Sequence, residues 1–261
     1  MFPLKDNIPT RRFPVITVAI IVLNVLVFFG FQEATLSLSG ASVDDQKVVE
    51  YGVIPYELTN PGDECGVTPD GQVACEGQPG VSGSAPEQAP FWVTLFTSMF
   101  MHGGLLHIIG NMLFLWIFGN NVEDSMGRAK FVAFYLLGGI AAVAAQTAID
   151  PDAAIPTIGA SGAVAAVLGG YALLYPRARV LTLIFIVIFF TVIELSALVV
   201  LGLWFLLQVF YGAADLAQPV GGGGVAYFAH IGGFVFGLLL IKLFADRQQD
   251  DYDRSNRIPV Y

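Results

Sequence analysis

Residues 157–171 read TIGASGAVAAVLGGY, a run of small apolar side chains with one hydroxyl, Ser161, near its start. Gly162, Ala166 and Gly170 recur every four residues, the spacing that lets helix backbones approach closely in lipid. A hydroxyl in such a helix needs a reason, because polar groups inside a membrane are costly.

The rest of the chain supports a membrane setting. Of its 261 residues, 55% are hydrophobic and only 13% charged, and the mean hydropathy is +0.68. That exceeds what the core of a soluble domain needs. Long apolar stretches recur at Phe13–Phe31, Leu105–Phe118, Phe131–Ile149, Ile158–Tyr175, Ile193–Tyr211 and Val225–Phe244, several close to the roughly 20 residues that span a bilayer. The expected fold is an all-α polytopic bundle of six transmembrane helices. The apolar tract Val180–Thr191 is read as an interfacial or re-entrant lead-in to the fifth helix, not a seventh crossing. Glu194 would open that fifth helix, where a helix N-terminus favours negative charge.

Cytoplasmic loops carry an excess of Lys and Arg. With the N-terminus inside, Lys5, Arg11 and Arg12 precede the first helix, and Arg128 and Lys130 fall in the loop between the second and third. Arg177 and Arg179 follow the fourth helix, and Lys242, Arg247, Arg254 and Arg257 lie at or beyond the end of the sixth. All of these are inside, and only Lys47 is left outside. The expected organisation is a cytoplasmic N-terminus at 1–12, a first helix at 13–31, an outer loop at 32–103, core helices two to six at 104–244, and a cytoplasmic tail at 245–261. The apolar N-terminal run resembles a signal peptide, but no convincing A-x-A site follows closely, so it is kept as a helix. A compact chain without an organelle-targeting extension points to a prokaryotic plasma membrane.

The outer segment is acidic and contains CGVTPDGQVAC, in which Pro-Asp-Gly can reverse the chain, so Cys65 and Cys75 can close a small disulfide loop. Two thiolates with no histidine nearby do not complete a zinc site, and no metal is expected. The net charge of −9 leaves no footprint for nucleic acid. The GGGG run at 221–224 is an outer connection and not a phosphate cradle, since no Lys-Ser/Thr follows it.

Four polar residues stand inside the spans: His107, Asn111, Ser161 and His230. Counted at 1.5 Å per residue, all lie within roughly 5–10 Å of the outer starts of their helices. They share a depth. The sixth helix carries Ala229, Gly233 and Gly237, matching the small-residue stripe of the fourth, and parallel packing of the two places Ser161 and His230 at the seam. His107 and Asn111, four apart, share one face of the second helix. A serine hydroxyl becomes a nucleophile when an adjacent neutral histidine takes its proton. The Asn111 amide, His107 and the Ser161 backbone N–H can then stabilise an oxyanion. No third acid is near, so a dyad is expected, with no cofactor.

At these residues the chain resembles the rhomboid intramembrane serine proteases, through GASG, AHIGGFVFG and HGGLLHIIGNMLFLWIFGNNVED, over about Phe91 to Phe244. The hydrolase elbow G-x-S-x-G does not fit, because Gly162 directly follows the serine. The resemblance implies Ser161 as nucleophile, His230 as base, and Asn111 with His107 as oxyanion donors. It also implies a structural Glu123 in the loop after the second helix and a structural His102. The implied substrates are transmembrane protein segments, reached through membrane lipid and cut near their outer ends. Two departures stand out. Trp92 is followed by Val93 where the family has a Trp-Arg pair, and Ala165 stands where some members stack an aromatic on the histidine. The partner that orients His230 must come from elsewhere, with Tyr227 and Tyr171 as candidates. A catalytically silent rhomboid-like protein that binds membrane clients is the alternative, although such proteins characteristically lack the serine or the histidine. A transporter would ordinarily show internal repeats or several buried charges. Oligomeric state is not legible here.

Overall fold

Among the residues described in the computed structural model (2–37, 40–69, 71–85, 89–186, 189–217 and 224–246), four helices are long and apolar enough to cross a membrane. They are Leu105–Met126, Arg128–Ile149, Ala197–Ala217 and Tyr227–Phe244. Shorter apolar helices cover Val15–Phe31, Phe91–Phe100 and Ser161–Leu174. In chain order, α1 (Val15–Leu26) runs on through a π-helical turn to Phe31. Next come α2 (Asp45–Tyr51), α3 (Pro55–Thr59) and α4 (Phe91–Thr97). The helices α5 (Leu105–Phe114) and α6 (Asn120–Met126) are joined through the π turn Leu115–Gly119. They are followed by α7 (Arg128–Ile149), α8 (Ser161–Leu174), α9 (Ala197–Ala217) and α10 (Tyr227–Phe244). Because α7 begins directly after Gly127, Arg128 and Lys130 occupy its first turn and not a loop, and Lys130 pairs with Asp246. Of the basic tail, Arg247, Arg254 and Arg257 lie outside the described residues, as does most of the GGGG run.

The helix α8 is the centre of the bundle. Nearly all its residues are buried, against α7, α10 and the π turn between α5 and α6. Close approach to α10 depends on glycine. A methyl group on Gly233 would collide with the carbonyl of Gly162, one on Gly237 with that of Ala166, and one on Gly169 with that of Phe234. The stripes read from the sequence therefore face each other backbone to backbone, as small-residue packing in lipid requires.

The fold is not purely α-helical. The tract expected as a lead-in to the fifth helix is instead an antiparallel hairpin of β6 (Arg179–Ile186) and β7 (Phe189–Ser196). The strand β1 (Phe2–Asp6) joins β6 to make a sheet of order β1-β6-β7. The reason lies in the residues: this tract is dense in Val, Ile, Thr and Phe, which favour extended backbone, and α9 starts only at Ala197. Glu194 consequently lies in β7, not at a helix start, and faces Arg179 across the hairpin at 3.4 Å. Asp6 anchors the sheet to the bundle. It is 6% exposed, and its Oδ2 accepts from Tyr171 Oη at 2.6 Å and Asn121 Nδ2 at 2.7 Å. Burial pushes its carboxyl up to about 7, against the lowering effect of the Tyr171 bond.

Glu123 also differs in place from expectation, since it lies within α6 and not in a loop. Its carboxylate accepts from the Ile16 N–H at 3.1 Å and from the Thr17 N–H and hydroxyl, both at 2.8 Å. These donors belong to the first turn of α1, which has no cap of its own, so Glu123 supplies the negative charge that a helix N-terminus favours.

At the Ser161 end of the bundle, the segment between α1 and α4 forms a small unit with its own core of Val49, Ile54, Tyr56, Cys65 and Cys75. A hairpin of β4 (Cys65–Val67) and β5 (Val73–Cys75) sets the two cysteines opposite each other, and their sulfurs are bonded. A further short hairpin pairs β2 (Thr35–Ser37) with β3 (Gly40–Ser42). The unit is stitched to the loop before α8. Val53 and Thr157 exchange backbone hydrogen bonds at 3.3 and 2.7 Å, Tyr56 N–H donates to Ala153 O at 3.1 Å, and the Thr59 hydroxyl donates to Pro151 O at 2.8 Å.

Candidate active site

Ser161 is the first residue of α8. The first intrahelical bond there runs from Val164 N–H to Ala160 O at 2.8 Å, so the N–H groups of Ser161, Gly162 and Ala163 precede the ladder and are open donors at a positive helix end. The chain enters this turn through Gly159, whose φ of +127° favours glycine and whose N–H is held by Ser98 O at 2.8 Å. A Cβ on Gly159 would lie 2.8 Å from His107 Cε1 and Nε2 and 3.4 Å from Ser161 Oγ. The His107 ring and the Ser161 hydroxyl thus flank one point on the backbone, which only a missing side chain keeps clear.

The ring of His107 is turned by its other nitrogen. Gly103 N–H donates to Nδ1 at 3.4 Å, which leaves Nε2 as the protonated nitrogen, on the side of Gly159 and Ser161. His102 packs edge-on against it, with centroids 5.0 Å apart. His102 is fully buried, and its backbone is clasped by Gln32, whose Oε1 accepts from His102 N–H at 2.9 Å and whose Nε2 donates to His102 O at 3.1 Å. Burial, with a smaller push from His107, lowers the His102 pKa to about 3, so this ring stays neutral. Asn111 Nδ2 donates to His107 O at 3.0 Å in its own helix, so one amide hydrogen is engaged there.

His230, one turn into α10, is 9% exposed. Its helix start lies against α8: Ala229 O is 3.9 Å from where a Gly162 Cβ would stand, and Ala229 N–H donates to Gln146 Oε1 of α7 at 3.2 Å. Among the hydrogen bonds of the described residues, none joins Ser161 Oγ directly to His230. The partner of His230 is Gln208 of α9, whose Oε1 is 2.8 Å from Nδ1. Trp204, one turn earlier on α9, lays its ring near the imidazole with centroids 5.8 Å apart and planes inclined by 37°. Neither aromatic expected to orient His230 does so, since Tyr171 is bonded to Asp6 and Tyr227 stacks on Tyr211 at 5.8 Å. Gln208 and Gln146 were passed over in the sequence, although a polar side chain inside an apolar span is itself a signal.

A cavity of about 20 Å³ adjoins Ser161, with Ser98, Thr157, Gly159, Gly162 and Ala229 among its lining. It has room for about one water molecule. A larger cavity of about 340 Å³ opens at the far end of the bundle between Arg12, Glu123, Asp124 and Arg128, but it brings together no nucleophile and base. Among the described residues, no cluster of three or more His, Cys, Asp or Glu is gathered for a metal ion.

Fold and site define a multi-pass membrane protein whose polar chemistry is gathered inside a helix bundle, at the start of its central helix. Residues 89–247 match the rhomboid domain model, and the chain belongs to the rhomboid family. It is 31% identical to Rhomboid protein 1, mitochondrial, of Saccharomyces cerevisiae over 153 residues, covering 56% of this chain and 40% of that protein. It is 29% identical to Rhomboid protease GluP of Bacillus subtilis over 162 residues, covering 62% of this chain and 24% of that protein. To the mitochondrial presenilin-associated rhomboid-like protein of Mus musculus it is 30% identical over 151 residues, covering 56% and 37%. The chain therefore spans well under half the length of these relatives, which come from a bacterium and from mitochondria alike.

Proposed function

We propose that the chain is an intramembrane serine endopeptidase in which Ser161 is the nucleophile and His230 the general base. The observation that carries the reading is the glycine-lined seam: Gly162 and Gly233 bring the starts of α8 and α10 together with no side chain between them. Ser161 and His230 flank that seam. On this reading hydroxyl and imidazole meet in the substrate complex, since catalytic hydrogen bonds often tighten only with substrate bound. His230 takes the Ser161 proton as the hydroxyl oxygen attacks the peptide carbonyl, and returns it to the leaving amine. Water then hydrolyses the acyl-serine with His230 again as base. The oxyanion is met by the open N–H groups at the start of α8, by His107 Nε2–H and by the second amide hydrogen of Asn111, donors worth roughly 10²–10³ in rate each.

The length of α8 supports hydrolysis at depth. Its 14 residues span roughly 21 Å, against about 30 Å of hydrocarbon. Irregular backbone just before α8 then dips below the membrane surface, tolerable where protein covers it, as at Thr157–Ala160, and it brings the cavity with it. Six crossings follow if the helix from Val15 to Phe31 and the buried α8 are added to the four long ones. The start of the first helix and the end of α10 then share a face, and the excess of basic residues there supports reading that face as cytoplasmic, with Ser161 opening outward. The substrates are segments of other transmembrane proteins, cut near their outer ends.

A fluorophosphonate probe tests the nucleophile. Mass mapping should find the adduct on Ser161 in the wild type and lose it in Ser161→Ala and His230→Ala. An unlabelled wild type would favour a silent client-binding protein instead.

A further inference from the structure

We infer that Gln208 is a positioning residue for His230, forming with it and Ser161 a relay in which a carboxamide takes the place an acid holds in other serine hydrolases. The inference rests on the protease reading above. Its geometry is specific about hydrogens. Gln208 Nε2 lies 3.4 Å from Trp204 O, one turn back on α9, and a carbonyl can only accept, so the amide nitrogen points there and Oε1 points to His230. An oxygen 2.8 Å from His230 Nδ1 requires that nitrogen to carry the hydrogen. The neutral imidazole then has its lone pair on Nε2, the form that can take a proton from serine. Trp204, one turn earlier on the same helix, also adjoins the imidazole, at a centroid distance of 5.8 Å.

This arrangement complements His107. There a backbone N–H donates to Nδ1 and Nε2 becomes the donor, whereas at His230 a side-chain oxygen accepts from Nδ1 and Nε2 becomes the acceptor. The two imidazoles are held in opposite tautomers, one suited to stabilise negative charge and the other to accept a proton. Gln208 is half-buried on a helix otherwise largely exposed, and it faces the buried His230. A neutral carboxamide also suits an apolar setting, where a buried charge would carry a desolvation cost.

The test compares Gln208→Met, which keeps length and apolar bulk but removes the acceptor, with Gln208→Glu, which keeps an acceptor at the same reach. Wild type and Ser161→Ala are assayed alongside in liposomes, with cleavage of a reporter transmembrane substrate and the rate of fluorophosphonate labelling of Ser161 both measured. For Gln208→Met, kcat and the labelling rate should fall roughly 10- to 100-fold with KM within about twofold of wild type, and Gln208→Glu should recover most of the loss. Wild-type rates in Gln208→Met, or equal losses in both variants, would overturn the positioning role while leaving the Ser161–His230 reading intact. If Ser161→Ala cuts as well as wild type, or the wild type neither cuts nor labels, the protease reading itself fails and the role of Gln208 falls with it.

Discussion

A single absent side chain organises the site. Gly159 holds a positive φ and leaves the space into which His107 and Ser161 both project, so Gly159→Ala should push the His107 ring aside while the bundle stays folded. The expected result is a kcat lowered roughly 10- to 100-fold, as for a displaced oxyanion donor, together with a loss of about 1–3 kcal/mol of stability from the strained φ; an unchanged kcat in the folded variant would show that His107 does not serve the reaction. Ser161, His107, Asn111 and His230 were legible in the sequence because each is polar where lipid or apolar helix should surround it. Gln208 has the same signature, but its partner becomes visible only when α9 is folded against α10. The two aromatics proposed from the sequence failed for a related reason. An aromatic ring near a span end has many apolar partners, and Tyr171 finds a buried carboxylate from the far N-terminus.

The helices α8 and α10 touch backbone to backbone, so their packing tolerates no added atoms. Gly237→Ala should collide with the Ala166 carbonyl and lower stability by about 1–3 kcal/mol, read as an earlier unfolding transition in detergent, with activity lost in proportion to the unfolded fraction. Wild-type stability in that variant would mean that the two helices sit farther apart. These stripes were readable from four-residue spacing alone. The hairpin from Arg179 to Ser196 was not, because its strands are apolar on both faces and show no alternation, so period could not separate strand from helix. Its β6 strand also pairs with β1, whose Phe2 lies opposite Leu183, a partner far away in the chain that no local pattern announces. The unit that carries the Cys65–Cys75 bond was foreseen as an outer loop, yet its docking on residues 151–157 is made mostly by backbone groups, which leave no trace in side-chain pattern.

The molecule is tied together at both ends, by the disulfide-bearing unit over the loop before Ser161 and by the β1 strand under α8. Asp6 makes the second tie sensitive to pH. Its carboxyl is raised to about 7 by burial, so the folded state holds the proton more tightly than the unfolded chain. The docking of β1 is therefore strongest below about pH 4 and weakens as pH rises through about 7. Hydrogen exchange of residues 2–6, corrected for intrinsic rates, should show protection falling between about pH 4 and pH 7 and levelling off above, and Asp6→Asn should flatten that dependence; equal slopes in both proteins would remove Asp6 as its source. On the scale of the whole chain, the central claim is that a serine at the start of a short, buried helix cuts peptide bonds within a membrane. Cleavage of a reporter transmembrane substrate by purified protein in liposomes, wild type beside Ser161→Ala, tests it most directly. Cleavage by the wild type and none by the variant is expected, and equal cleavage by both, or none by the wild type across several substrates, would contradict this role of Ser161.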